Sequence, residues 1–201
     1  MFDIEALIRT AGYLGLFGIV FAESGLFLGF FLPGDSLLFT AGFLASQGYG
    51  NIMLLLPVCF FAAVLGDSFG YAFGRKVGPR IFTREDSLFF RKEYITRTRA
   101  FYDRHGGKTL ILARFLPVVR TFAPIFAGVG KMRYPTFFFY NLIGGFFWAV
   151  GLTVLGYTLG SVIPGIDRYL VPLVLGIIVI SMLPPIIHIV RDRARMAGKQ
   201  V

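Results

Sequence analysis

The chain has 201 residues, 56% of them hydrophobic, with 24 Phe, 25 Gly, only 15% charged residues and a formal net charge of +9; its mean hydropathy is +0.71. So little polar surface cannot cover so much apolar surface, which excludes an ordinary soluble globule and leaves an integral membrane protein. A single cysteine, Cys59, excludes an intramolecular disulfide and a cysteine-based metal site.

The first apolar segment, about 5–24, runs from Glu5 to Glu23 without a small-residue cleavage pattern, so it is expected to remain as a helix rather than leave as a signal peptide. Next comes GFFLPGDSLLFTAG at 29–42, where Pro33 and Gly34 break an apolar run and Asp35 places a carboxylate in it. Residues 36–66, 134–166 and 169–190 contain no Asp, Glu, Lys or Arg, and each exceeds the roughly 20 residues that span a bilayer as helix. Transmembrane helices are therefore expected at about 5–24, 51–74, 136–160 and 169–190.

Charge orients them. Residues 75–108 carry ten basic and four acidic groups, and the tail 191–201 carries four basic and one acidic, whereas SQGYGN at 46–51 is uncharged and SVIPGIDR at 161–168 nets zero. The positive-inside rule puts 75–108 and both termini in the cytoplasm. A basic stretch beside membrane spans suits anionic lipid rather than nucleic acid. Within it, TREDSLFFRKEYITRTRAFYDRHGG reads as an amphipathic interfacial helix, with Thr83 and Asp86 in a capping arrangement and Gly106 and Gly107 ending the run.

Two interrupted apolar pieces remain, 25–45 and 109–130. Each must begin and end on one side for the charge rule to hold, so they read as re-entrant hairpins, the first from outside and the second from inside. Broken backbone at membrane depth is tolerated only where protein or a wet cavity surrounds it. The two pieces also echo each other. Phe31-Leu32-Pro33 recurs as Phe115-Leu116-Pro117, Ala41-Gly42 as Ala127-Gly128, and GYAFG at 70–74 as GYTLG at 156–160. The reading is an all-α polytopic membrane protein with an inverted repeat and two opposed hairpins, a transporter architecture. One membrane domain covers 1–201: repeat 1 at about 10–78, an amphipathic linker at 79–108, repeat 2 at about 109–162 and a final helix at 169–190.

The charged residues of these segments are Glu23 and Asp35 in the first half and Arg114 and Arg120 in the second. Each costs about 2.5–3.5 kcal/mol at a helix centre, so such groups pair or face water. Arg114 and Arg120 are suited to gripping a phosphate, helped by half-helix N-termini at the breaks. Glu23 and Asp35 are candidates for binding and releasing a proton. Pro33, Gly34, Ser36, Pro117 and Thr121 are supporting positions at the breaks. The bland alternative is a static salt-bridge lock between the repeats, with Asp35 capping a half-helix that starts near Ser36 and Glu23 at the outer interface. Asp67 either lines the cavity or binds a backbone donor, and Asn141 is either helix-packing glue or a ligand.

With these residues in view, FAESGLFLGFFLPGDSLLFTAG, GDSFGYAFGRKVG and RFLPVVRTFAPIFAGVGKMRYPTFFFYNLIGGFFWA resemble the DedA family, bacterial members of the VTT group, over about 12–165. The resemblance implies a multi-pass protein of the bacterial cytoplasmic membrane that moves lipids between leaflets in a manner dependent on proton-motive force. It places the family's acidic pair on Glu23 and Asp35 and its arginine pair on Arg114 and Arg120. Family substrates include undecaprenyl phosphate, with some members linked to phosphatidylethanolamine.

The leading expectation is thus a proton-linked translocase of a polyprenyl phosphate such as undecaprenyl phosphate. The alternatives are a phosphatidylethanolamine flippase or scramblase, a proton-coupled ion or drug antiporter, and a lipid-pyrophosphate phosphatase. For the last, Ser24 and Ser36 lack an evident base, and His105 and His188 lie outside both hairpins. No cofactor and no metal are expected. The expected partners are a membrane lipid and protons, and Gly-rich faces such as 144–160 suit a homodimer.

Overall fold

Long charge-poor runs of Phe, Leu, Ala and Gly must satisfy their backbone polar groups within the segment if lipid surrounds them, and a helix does so. The computed structural model describes residues 4–26, 34–81, 102, 104 and 106–162, and the regular structure among them is entirely helical. The elements are α1 (Ile4–Gly25), α2 (Gly34–Ser46), α3 (Ile52–Ile81), α4 (Lys108–Ala113), α5 (Pro117–Val129), α6 (Tyr134–Gly145) and α7 (Gly151–Val162), with one π-helical turn, Phe146–Val150, joining α6 to α7.

Among the described residues, two helical runs are long and apolar enough to cross a membrane, Ile52–Gly78 and Tyr134–Val162. They correspond to the spans expected at 51–74 and 136–160. The expected helix at 169–190, the interfacial helix at 83–105 apart from Tyr102 and Arg104, and Pro33 lie outside the described residues. On α3 the division of faces is clear. Leu54, Phe61, Leu65 and Phe69 are exposed, while Cys59, Ala62, Ala63, Gly66, Gly70 and Gly74 are buried. Large apolar groups turned outward and small residues turned inward is the pattern of a helix that packs on its neighbours through lipid.

Packing is reciprocal between the halves. The short helix α2 lies against α7, and the short helix α5 lies against α3. Both contacts run backbone to backbone through glycine. A Cβ at Gly42 would overlap the Thr153 carbonyl and one at Gly156 the Phe39 carbonyl; likewise, a Cβ at Gly128 would overlap the Tyr71 carbonyl and one at Gly74 the Ile125 carbonyl. Gly42 and Gly128 close the two Ala-Gly pairs of the sequence echo, and Gly74 ends GYAFG. The repeated glycines are therefore the points of closest helix approach.

Two apolar clusters flank the middle of the bundle. One gathers Val20, Leu38, Cys59, Ala62 and Trp148. The other gathers Tyr71, Leu110, Ala127 and Phe137. The charged side chains of the broken segments meet near Trp148.

Candidate functional site

Arg120 sits in the first turns of α5, just after the proline that opens that helix. Its side chain reaches across to the other half of the molecule. Nη1 donates to Oδ1 of Asp35, and Nη2 donates to Oε1 of Glu23. One guanidinium thus holds two carboxylates, one on each terminal nitrogen, which its planar fork permits and an ammonium does not. The Glu23 side chain is 1% exposed and that of Arg120 10%, while Asp35 keeps 26%. Asp35 is the open edge of this triad.

Arg114 does not join that triad. It lies at the break between α4 and α5, where the helix ends at Ala113 and resumes at Pro117. Its Nη2 donates to Oδ2 of Asp67 on α3 and to Oδ1 of Asn141 on α6. Asn141 in turn donates to the Val64 carbonyl at 3.0 Å and to Ser68 Oγ at 3.3 Å. The cluster expected from Glu23, Asp35, Arg114 and Arg120 alone therefore resolves into two assemblies. Glu23 and Asp35 both go to Arg120, and Asp67, the fifth charged candidate of the sequence, is the acid that Arg114 holds. Asn141 is both helix glue and a ligand to arginine.

Trp148 joins the two assemblies. Its indole Nε1–H donates to Asp35 Oδ1 at 2.7 Å. The Arg120 Cζ lies 4.7 Å from the ring centroid and the Arg114 Cζ 5.9 Å, within the range of cation–π attraction. The residue is carried on the π-helical turn, a feature frequent at functional sites. Sequence reasoning passed over it, although its signal was available: it is the chain's only tryptophan, in a charge-free span. The glycines before it, read in the sequence as part of a face suited to a homodimer, lie against Arg114. A Cβ at Gly144 would meet Arg114 Cδ at 2.8 Å, so this position leaves room for the arginine.

The remaining supporting positions cluster at the same level. α2 begins at Gly34, so Asp35 lies inside its first turn and turns to Arg120 and Trp148 instead of capping a helix from Ser36. A Cβ on Gly34 would fall on the Glu23 carboxylate. Pro117 is the first residue of α5, where a missing N–H is harmless. Ser36 Oγ, Thr40 Oγ1, Thr121 Oγ1 and the second carboxylate oxygen of Glu23 are buried without a hydrogen-bond partner among the described residues. Buried polar atoms rarely stay unpaired, so their concentration beside Arg120 and Asp35 marks a polar, incompletely satisfied interior.

The charge is also incomplete. Two arginines face three carboxylates, Glu23, Asp35 and Asp67, for a net charge of −1 when all are ionised. No group of three or more His, Cys, Asp and Glu suited to a metal ion occurs among the described residues. A cleft of about 480 Å³ opens between α1 and α2, lined by Leu16, Ile19, Leu37, Thr40 and Leu44 among others. Ile19 is one turn from Glu23, and Leu37 is two residues from Asp35.

Comparison with known proteins places these residues in context. Residues 32–158 match the VTT domain family. The chain is 46% identical to protein DedA of Escherichia coli K12 over 92% of its own length and 85% of that protein's. It is 45% identical to an uncharacterized membrane protein of Mycobacterium leprae, covering 91% and 83% of the two chains, and 36% identical to the inner membrane protein YghB of E. coli K12, covering 78% and 71%. No solved structure matches it.

Proposed function

The chain belongs to the DedA family of VTT-domain membrane proteins, and from that premise we propose that it is a proton-linked lipid translocase whose substrate is a polyprenyl phosphate such as undecaprenyl phosphate. In this reading it is a transporter and not an enzyme. It crosses the cytoplasmic membrane several times with both termini inside, as an inverted repeat whose broken segments, 25–45 and 109–130, are opposed re-entrant hairpins. The reciprocal glycine contacts of α2 with α7 and α5 with α3 support that arrangement.

The observation that carries the proposal is the buried Arg120 held by two carboxylates from the other half of the chain. Arginine binds phosphate through the same paired N–H groups that here face Asp35 and Glu23. A phosphate therefore competes with those acids for one guanidinium. The cluster's net charge of −1 opposes an entering anion until a proton neutralises a carboxylate. One of the two acids on Arg120, Glu23 or Asp35, takes that proton. Neutral, it releases one face of Arg120 to the headgroup; ionised, it reclaims the arginine and expels the phosphate. The second acid holds the other face of Arg120, and Arg114, fixed by Asp67 and Asn141, supplies positive charge near the same Trp148 ring. The apolar cleft between α1 and α2 suits the isoprenoid tail, since it starts within one turn of the charged cluster.

Lipid transfer in liposomes that hold the purified protein tests this. Wild-type protein is expected to move polyprenyl phosphate between leaflets faster with an inward proton gradient, and Arg120→Ala to abolish the movement. Normal transfer by Arg120→Ala overturns the assignment. Movement of phosphatidylethanolamine but not of polyprenyl phosphate replaces the substrate, and proton flux without any lipid movement replaces the transport class.

A further inference from the structure

A second basic site stands apart from the charged cluster, at the end of the bundle where α3 finishes and α6 starts. Arg75 and Lys76 on α3, and Lys131 and Arg133 in the turn between α5 and α6, are all exposed. None of the four has an acidic partner among the described residues. Tyr71 fastens the two pieces together. Its hydroxyl donates to the Met132 carbonyl and accepts a hydrogen bond from Arg75 Nη1 at 2.7 Å. Its ring lies 5.5 Å from that of Tyr134 and 6.0 Å from the Arg75 Cζ. The turn itself is held in a defined shape, with Lys131 at φ 57. Beside Tyr71 is a shallow pocket of about 360 Å³ lined by Tyr71, Ala72, Arg75, Lys76 and Tyr134, with Lys131 and Arg133 in the turn that leads to Tyr134.

We propose that this pocket binds the phosphate headgroup of an anionic phospholipid in the leaflet on the basic side of the membrane. Three features select that occupant. Among the described residues the cations have no acidic partner, so an anion supplies the missing charge. The floor is aromatic and tied down through Tyr71, so the arginine is oriented before the ligand arrives, at small entropic cost. Deeper along each helix, exposed apolar side chains follow. Phe69 on α3 is exposed, and Phe138 on α6 is exposed and stacks on Tyr134 with centroids 5.8 Å apart. A free phosphate has no use for that apolar continuation, whereas a lipid lays its acyl chains on it. Basic pockets between helices at the cytoplasmic side are suited to such headgroups. The site does not depend on the translocase reading, because none of its residues belongs to the Arg120 or Arg114 assemblies.

The full-length protein in nanodiscs of phosphatidylcholine with increasing phosphatidylglycerol, released gently and weighed by native mass spectrometry, tests the inference. Wild type is expected to retain one more phosphatidylglycerol than Lys76→Gln, whose side chain has no hydrogen-bond or ion-pair partner among the described residues. Apparent affinity is expected to fall about fivefold for each cation neutralised, in Lys76→Gln and again in the Arg75→Gln/Lys76→Gln pair. Lys108→Gln removes an equal charge from the exposed start of α4, outside the pocket, and is expected to leave retention unchanged. Equal retention by wild type and Lys76→Gln overturns the site. So does equal retention of phosphatidylcholine, or an equal loss in Lys108→Gln, which would reduce the effect to general surface charge. Because these variants share an intact Arg120 assembly, a failure here leaves the translocase reading untouched.

Discussion

The indole N–H of Trp148 donates to Asp35 at 2.7 Å, and the same ring carries the guanidinium of Arg120 over its face. One aromatic side chain thereby fixes both members of an ion pair that joins the two halves of the chain. As the chain's only tryptophan, it also reports on that pair. Its fluorescence is expected to change when polyprenyl phosphate is added to detergent-solubilised protein, and Arg120→Ala is expected to remove the response. Trp148→Phe keeps a smaller aromatic face and loses the donor; denaturant unfolding should show a cost of at least roughly 1.5–3 kcal/mol, the range for a hydrogen bond to a charged group.

The two acids on Arg120 set the expected proton dependence. If a proton on either one frees Arg120 for phosphate, lipid transfer rises as the pH falls and declines as the pH rises. Asp35→Asn mimics the neutral form permanently. It should bind polyprenyl phosphate with little dependence on pH and lose the response to a proton gradient. Retained gradient dependence in Asp35→Asn would assign the proton to Glu23.

The Arg114–Asp67 pair predicts a stability cycle. Arg114→Ala leaves a buried carboxylate uncompensated and is expected to cost roughly 3–5 kcal/mol. Replacing both partners, Arg114→Met with Asp67→Leu, removes the stranded charge and should recover much of that loss while transfer activity remains impaired. Recovery of stability with full activity would make the pair a structural lock only.

Helix approach through glycine gives a third stability test. Gly42→Ala and Gly128→Ala push a Cβ into facing carbonyls of α7 and α3, and both should lower the melting temperature sharply. Gly34→Ala should do the same by displacing the Glu23 carboxylate. Gly15→Ala has nothing within 4 Å and should be neutral or stabilising by about 0.5–1 kcal/mol, since alanine is the better helix former. Equal effects across the set would contradict the close contacts.

Much of the architecture was legible in the chain because its signals are local. Charge-free runs at 36–66 and 134–166 mark the apolar helices, and prolines at 33 and 117 mark the breaks. The FLP and Ala-Gly echoes point to two related halves. Glu23, Asp35, Arg114 and Arg120 stand out because a charge in an apolar run is costly wherever it lies. Which charge meets which was not local. Arg120 is 97 residues from Glu23 and 85 from Asp35, and Arg114 is 47 from Asp67. Those pairings follow from the packing of α5 on α3 and α2 on α7, which brings one arginine to two acids and sends the other to a third.

The sequence by itself determined that charge must be buried within an apolar helical bundle, and at which residues, because composition and helix breakers act on each segment alone. Only the tertiary structure decided that Trp148 lies within 6 Å of both arginines, that Asp67 is the acid at Arg114, and that Asp35 is the most open of the three carboxylates. These are consequences of distance between segments, and in this bundle that distance is set by glycine-to-backbone contacts.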